Sequence, residues 1–272
     1  MLAQAMGEVL LVHAQGNSDG FEAPGVADLF PDPYAFAGTP FEMNAVQTNR
    51  LVMLVLFLVC AILYVRRAKV VPGRAQGIFE FGLNFCRTSI AEQILGKTMG
   101  RKYEKYVMAI FFLVLFMNIA GVIPGLNLAG TALPGLPLLL AIFSWVLFIV
   151  AGIKEQGGGK FLKSALFPPN VPKPLYLLLT PIEAISTFII RPFTLFVRLL
   201  ANMVSGHFLL TLTLVATNFF VIYAMALLKP LAILTFVAAI AFTLFEILVA
   251  FLQAYIFAIL TAVYIDLSVH AH

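Results

Sequence analysis

Arg191 to His207 reads RPFTLFVRLLANMVSGH, an apolar stretch in which Arg198 has no acidic residue within fourteen positions on either side. Of the 272 residues, 61% are hydrophobic and 11% charged, and long runs without charge recur along the chain. That composition marks a polytopic membrane protein. An arginine at mid-membrane costs roughly 2.5 to 3.5 kcal/mol on insertion scales, so it is retained where something neutralises it. Two readings of Arg198 follow: a group on an ion path, or a snorkelling anchor at the headgroups. Arg191 and Lys229, nearer the ends of their apolar runs, are better placed for the second task.

On either side of this stretch the apolar character continues, from Leu175 to Phe220 and, after Pro230, from Leu231 to Ile265. Both segments exceed the roughly 20 residues that an upright crossing needs, so each must tilt or break. Pro192 and Pro230 are the expected kink and turn points, and the pair reads as a long, steeply tilted helical hairpin over 175–268. Upstream, apolar runs at about Val46–Val65, Tyr106–Ile123 and Leu136–Ile153 bring the expected total to about five membrane helices in an all-α fold. Between the first two, Ile78, Phe81, Phe85, Ile90 and Ile94 recur at helical spacings among charges, which predicts an amphipathic helix lying on the membrane face.

Charge gives the orientation. Nine basic residues lie between Arg66 and Lys105 and four between Lys154 and Lys173, together 13 of the 17 Lys and Arg. The connection Pro124–Gly135 has none. By the positive-inside rule the amino terminus is expected outside and the carboxyl terminus in the cytoplasm. Residues 1–45 carry six acidic residues and no Lys or Arg, and read as a polar arm preceding a single membrane domain over 46–272. MLAQAMGEVLLVHAQ has no basic residue ahead of its short apolar part and is interrupted by Glu8, so it is not read as a secretory signal. The basic pI of about 9.1 is accounted for by loops flanking apolar runs, which leaves no stripe for nucleic acid. Cys60 and Cys86 have no metal-ligand spacing around them and are read as bystanders.

Within the hairpin, Thr194, Arg198 and Asn202 are four apart and form one polar ridge. His207 lies nine residues after Arg198, about 180° round a helix, and so points away from that ridge. In the second arm Glu246, Gln253 and Tyr264 fall at nearly one helical angle. Glu246 and His207 both titrate in a useful range, and their meeting across the hairpin would make a proton-handling pair. Taken singly, His207 and Gln253 could equally be buried groups satisfied by a backbone carbonyl or a neighbouring helix.

RPFTLFVRLLANMVSGH followed by FEILVAFLQAYIFAILTAVYI (Phe245–Ile265) resembles the two signature segments of subunit a of F-type ATP synthases, and the likeness extends more weakly over about residues 40–272. The resemblance implies that Arg198 matches the family's essential arginine, which faces the proton-carrying carboxylate of each subunit of the c ring. Asn202 and Gln253 match polar residues near that contact, and His207 and Glu246 match a proton-access pair, here with the histidine first. Ala201 departs from the more frequent glycine, a small-for-small exchange. Glu183 and Tyr264 are candidate supporting residues. The partners implied are the c ring, the subunit b peripheral stalk, the other synthase subunits and membrane lipid, in the cell inner (plasma) membrane. No cofactor or metal is implied, and the chain is expected to translocate ions without being a catalyst itself.

Two other functions compete. An ion-coupled secondary transporter could use Arg198 to bind an anionic substrate, but such folds show inverted repeats and paired broken helices, which are not visible here. A structural scaffold would tolerate loss of Arg198. No nucleotide-binding glycine loop or nucleophile triad is present to support an enzyme acting alone.

Overall fold

The computed structural model describes residues 44–69, 71, 73–123, 131, 133–167, 175–222 and 228–269. All but the last two residues of the polar arm, the Gly/Pro-rich stretch 124–130 and the proline-rich stretch 168–174 lie outside them. Among the described residues the regular structure is helical: α1 (Ala45–Arg67), α2 (Arg74–Phe85), α3 (Gln93–Ile119), α4 (Gly135–Gln156), α5 (Gly158–Leu166), α6 (Tyr176–Ile185), α7 (Arg191–Ile222) and α8 (Leu231–Val269). Widened π-helical turns join α2 to α3 and α6 to α7.

Local chemistry explains the ends. Asn44 caps α1 reciprocally with Gln47: its Oδ1 accepts from the Gln47 amide at 2.9 Å, and Gln47 Oε1 accepts from the Asn44 amide at 3.3 Å. Arg66 and Arg67 occupy the last turn, where they complement the helix dipole. Gly157, at φ 85°, stops α4 and turns the chain into α5. Three consecutive glycines, Gly157 to Gly159, argue against a helix in this basic segment. It folds as one because Phe161 is anchored in tertiary contact.

That anchor sits in a notch. A Cβ on Gly152 would lie 2.4 Å from the Phe161 ring and 3.0 Å from the Ser268 carbonyl. Only glycine lets α4, α5 and the end of α8 meet so closely. Gly152→Val is expected to lower stability by about 1–3 kcal/mol, the usual effect of overpacking, read as a lower thermal unfolding midpoint of the solubilised protein.

Among the described residues four helices are long and apolar enough to cross a membrane: Val46–Arg67, Gly135–Gln156, Tyr176–Ile222 and Leu231–Val269. The remaining expected crossing belongs to α3, which bends at Gly96, is charged through Arg101, Lys102, Glu104 and Lys105, and becomes continuously apolar only from Tyr106. The long segment after residue 175 stays helical through Pro192. Proline lacks an N–H and crowds the carbonyl four residues back, and the π-helical turn Ser186–Ile190 accommodates that mismatch. The expected amphipathic helix is present, but the π-helical turn Cys86–Glu92 splits its apolar face. Ile78 and Phe81 stay exposed, whereas Ile90 is fully buried.

The core is built around α8, which packs on α3, α7 and α4. Ala250, Ala254, Ala258 and Ala262, four apart and all fully buried, let neighbouring helices approach closely. Phe111 of α3 meets Phe251 of α8 at 5.8 Å and Phe85 of α2 meets Tyr255 at 5.6 Å. α1 is peripheral, seated on α3 through Phe57 and Phe116 at 5.4 Å. Cys86 is buried in the core cluster, and burial pushes its thiol up to about 12. A thiolate is therefore absent at neutral pH, and maleimide is expected to label Cys86 only after denaturation, as mass spectrometry of the alkylated chain would read.

Candidate functional site

Three contacts hold α7 and α8 in one antiparallel register. At the turn end, Thr217 Oγ1 donates to Thr235 Oγ1 at 2.9 Å. Midway, a Cβ on Gly206 would be 3.4 Å from Glu246 Oε1, so the carboxylate lies against the backbone of α7. At the other end the Arg191 guanidinium sits over the Tyr264 ring, 5.4 Å from its centroid. In this register Gln253 falls level with residues 199–202, within about a turn of Arg198, while His207 is level with Glu246.

The face of α7 that meets α8 repeats every three or four residues: Leu195, Leu199, Met203, His207 and Leu210 are buried. Arg198 and Thr194 are on the opposite, exposed face, and Asn202 is half-buried between the two. Arg198 makes no hydrogen bond or ion pair with another described residue. On α7 the exposed side that carries Arg198 also carries Thr194, Val197 and Ser205. A guanidinium without a partner among the described residues is thus exposed on a helix apolar enough to cross a membrane. Thr194 Oγ1 donates to the Arg191 carbonyl at 3.0 Å, whereas at Asn202 it is the main-chain carbonyl that accepts, from Ser205 Oγ at 3.2 Å, a bond that does not involve the Asn202 side-chain amide.

Behind that face lies a second environment. Glu246 is 3% exposed and Gln253 4%, and His207 is also buried. Both Glu246 carboxylate oxygens and His207 Nδ1 are buried without a hydrogen-bond partner among the described residues. No hydrogen bond joins His207 to Glu246; the residue against the carboxylate is Gly206, one position before the histidine. A buried carboxylate without a donor is costly unless it binds a proton or water. Such a pair can take up and pass on a proton.

The end of the hairpin far from its turn is held by aromatic contacts. Tyr264, under Arg191, also meets Phe148 of α4 edge-on at 5.8 Å. Glu183 is half-buried on α6, ahead of the π-helical turn and on the same long helical segment as Arg191. Sequence reading missed one polar contact here. Ser144 and Thr261, both fully buried, share a hydrogen bond of 3.1 Å between α4 and α8. Ser144 is the single hydroxyl within LLLAIFSWVLFIV, and that isolation was the available signal.

The sequence pattern of the ATP synthase A chain family matches residues 48–266. A protein named ATP synthase subunit a from Rhodococcus erythropolis is 45% identical over 254 residues, covering 93% of this chain and 92% of that protein. Proteins of the same name from Frankia alni and Nocardioides are 36% and 33% identical, each over 91% of this chain.

Proposed function

The chain belongs to the ATP synthase A chain family, and on that premise we propose that it is the stator side of a proton path that drives, or is driven by, rotation of a ring of carboxylate-bearing c subunits. The observation that carries this reading is Arg198, exposed on a helix long and apolar enough to cross a membrane and without a hydrogen bond or ion pair to another described residue. A guanidinium so placed needs an anionic partner, and a ring carboxylate passing in the membrane supplies one.

Protons enter from outside through a half-channel in which His207 and Glu246 relay them to the ring. Each protonated site is neutral and moves into lipid. After almost a full turn it meets a second half-channel and releases its proton inward. Arg198 lies between the two: its charge lowers the proton affinity of the nearby ring carboxylate and repels a proton crossing directly. Asn202 and Gln253, level with one another in the hairpin, orient water or steady the guanidinium, with Thr194 on the same ridge. Glu183 and Tyr264 belong to the inner, release side. At ~2.3 kcal/mol per charge per 100 mV, a leak past Arg198 would dissipate the work of each proton. The chain itself performs no catalysis; it translocates ions within the complex, anchored to the peripheral stalk through subunit b, as one membrane domain over 46–272. The distribution of basic residues supports an outer amino terminus and a cytoplasmic carboxyl terminus in the plasma membrane.

Ser205 is exposed on the same side of α7 as Arg198 and tests the partner. In a complex whose Cys60 and Cys86 are replaced by alanine, Ser205→Cys is expected to crosslink to a small hairpin subunit of the ring. An adduct confined to lipid, or to any other subunit, would refute the assignment.

A further inference from the structure

We propose that α5 is a docking site for anionic phospholipid headgroups at the inner boundary of the membrane. α5 begins immediately after Gly157 ends α4, a helix long and apolar enough to cross the bilayer, so α5 lies where hydrocarbon gives way to headgroups. Nine residues long, it divides sharply at ~100° per residue. Phe161, Ala165, Leu162 and Leu166 fall on one arc, and Ser164, Lys160 and Lys163 on the other. Phe161 is seated in the Gly152 notch, and Ser164 donates to Gln156 Oε1 at 3.1 Å, so the helix is fixed to α4. Gln156 in turn donates to the Ser268 and Val269 carbonyls at 2.8 and 3.1 Å, tying the assembly to the end of α8. The rest is turned outward: Leu162 is half exposed, and Lys160 and Lys163 are exposed.

Charge selects the occupant. Glu92 and Glu104 are engaged by Arg87 at 3.4 and 3.3 Å, and Glu155 is taken by Lys102 and by the Tyr103 hydroxyl. Lys160 and Lys163 have no ion pair or hydrogen bond with another described residue. Lys154, on the last turn of α4, is exposed as well. Two ammonium groups three residues apart, beside an apolar flank that reaches toward the acyl region, complement a phosphodiester headgroup above its chains. A soluble acidic segment would satisfy the lysines but would leave Leu162 in water.

The test uses the intact complex in nanodiscs of phosphatidylcholine with increasing phosphatidylglycerol, and follows by mass spectrometry the acylation rate of Lys160 and Lys163 by a water-soluble amine reagent. Protection is expected to rise with the anionic fraction and to be lost at about 1 M salt, where screening reaches ~3 Å. In the Lys160→Gln/Lys163→Gln complex, capture of a photoreactive phosphatidylglycerol on α5 is expected to fall on the order of thirtyfold, since each lysine beside an anionic surface contributes about a factor of five. Lys160→Arg/Lys163→Arg is expected to retain capture. Rates that ignore lipid composition would overturn the proposal, as would lysines protected equally in neutral discs, which would indicate a protein cover. Lipid capture is read without proton flux, so its failure is distinct from failure of the proton-path reading.

Discussion

Replacing Arg198 by alanine is expected to abolish ATP-driven proton pumping in vesicles carrying the whole complex, while the complex itself stays assembled. The second half of that expectation comes from where the side chain sits. Arg198 is exposed on α7, outside the buried Leu195, Leu199, Met203 stripe, and it makes no hydrogen bond or ion pair with another described residue. Its removal relieves the cost of holding a charge in an apolar setting, so the fold is not weakened. The first half follows from electrostatics. On the proposed reading, loss of the fixed charge would leave the ring carboxylate without a counterpart that favours its ionised form between the two half-channels, and would leave nothing to bar a proton from passing directly. The measurement is quenching of a pH-sensitive dye on addition of ATP, paired with passive flux under an imposed potential. Lost pumping with or without a new leak supports the separator role. Unchanged pumping would sink it and return the chain to a scaffold. Arg198→Lys keeps the charge but loses the planar fork, and is expected to restore little, because a flexible, strongly hydrated ammonium does not hold the same place.

Glu246→Gln is expected to lower proton flux by roughly 10²-fold, the low end of what a positioned proton-transfer group contributes, without lowering the thermal stability of the complex. The two readouts move apart for a physical reason. Both carboxylate oxygens of Glu246 are buried and lack a partner among the described residues, so no hydrogen bond of the fold is lost on substitution. Amide and carboxylate also fill nearly the same volume beside Gly206. The amide, however, cannot carry a proton. A structural role predicts the reverse: lower stability with flux per assembled complex unchanged. His207→Gln is expected to fall in the same direction and by less, since its ring lies level with the carboxylate but is not bonded to it. If Glu246→Gln left flux intact, the entry half-channel would have to run elsewhere.

The fold class was legible because lipid imposes a coarse rule: apolar runs of sufficient length must become helices, whatever they touch. Hence the crossings near Val46, Leu136, Leu175 and Leu231 were readable from composition, and so was the opposition of Arg198 and His207, which depends only on helical periodicity. What failed locally was the segment after Gly157. Its glycines argue against a helix, and α5 exists because Phe161 finds the notch at Gly152, a contact set by the meeting of α4 and α8. The split apolar face of the amphipathic helix has a similar origin, since the π-helical turn at Cys86–Glu92 turns Ile90 into the core and leaves Phe81 outside.

The candidate site divides in the same way. Which residues are anomalous in a membrane, Arg198, Asn202, His207, Glu246 and Gln253, was determined by sequence alone, because polarity in an apolar run is costly wherever the chain folds. Which of them meet was decided only by the tertiary structure. Periodicity places a residue on a face but says nothing of the register between helices; the contacts Thr217 to Thr235, Gly206 to Glu246 and Arg191 to Tyr264 set it. That register buries Glu246 beside Gly206 and leaves Arg198 exposed, because side-chain packing between two long helices, not the pattern along either one, selects the alignment that fills space.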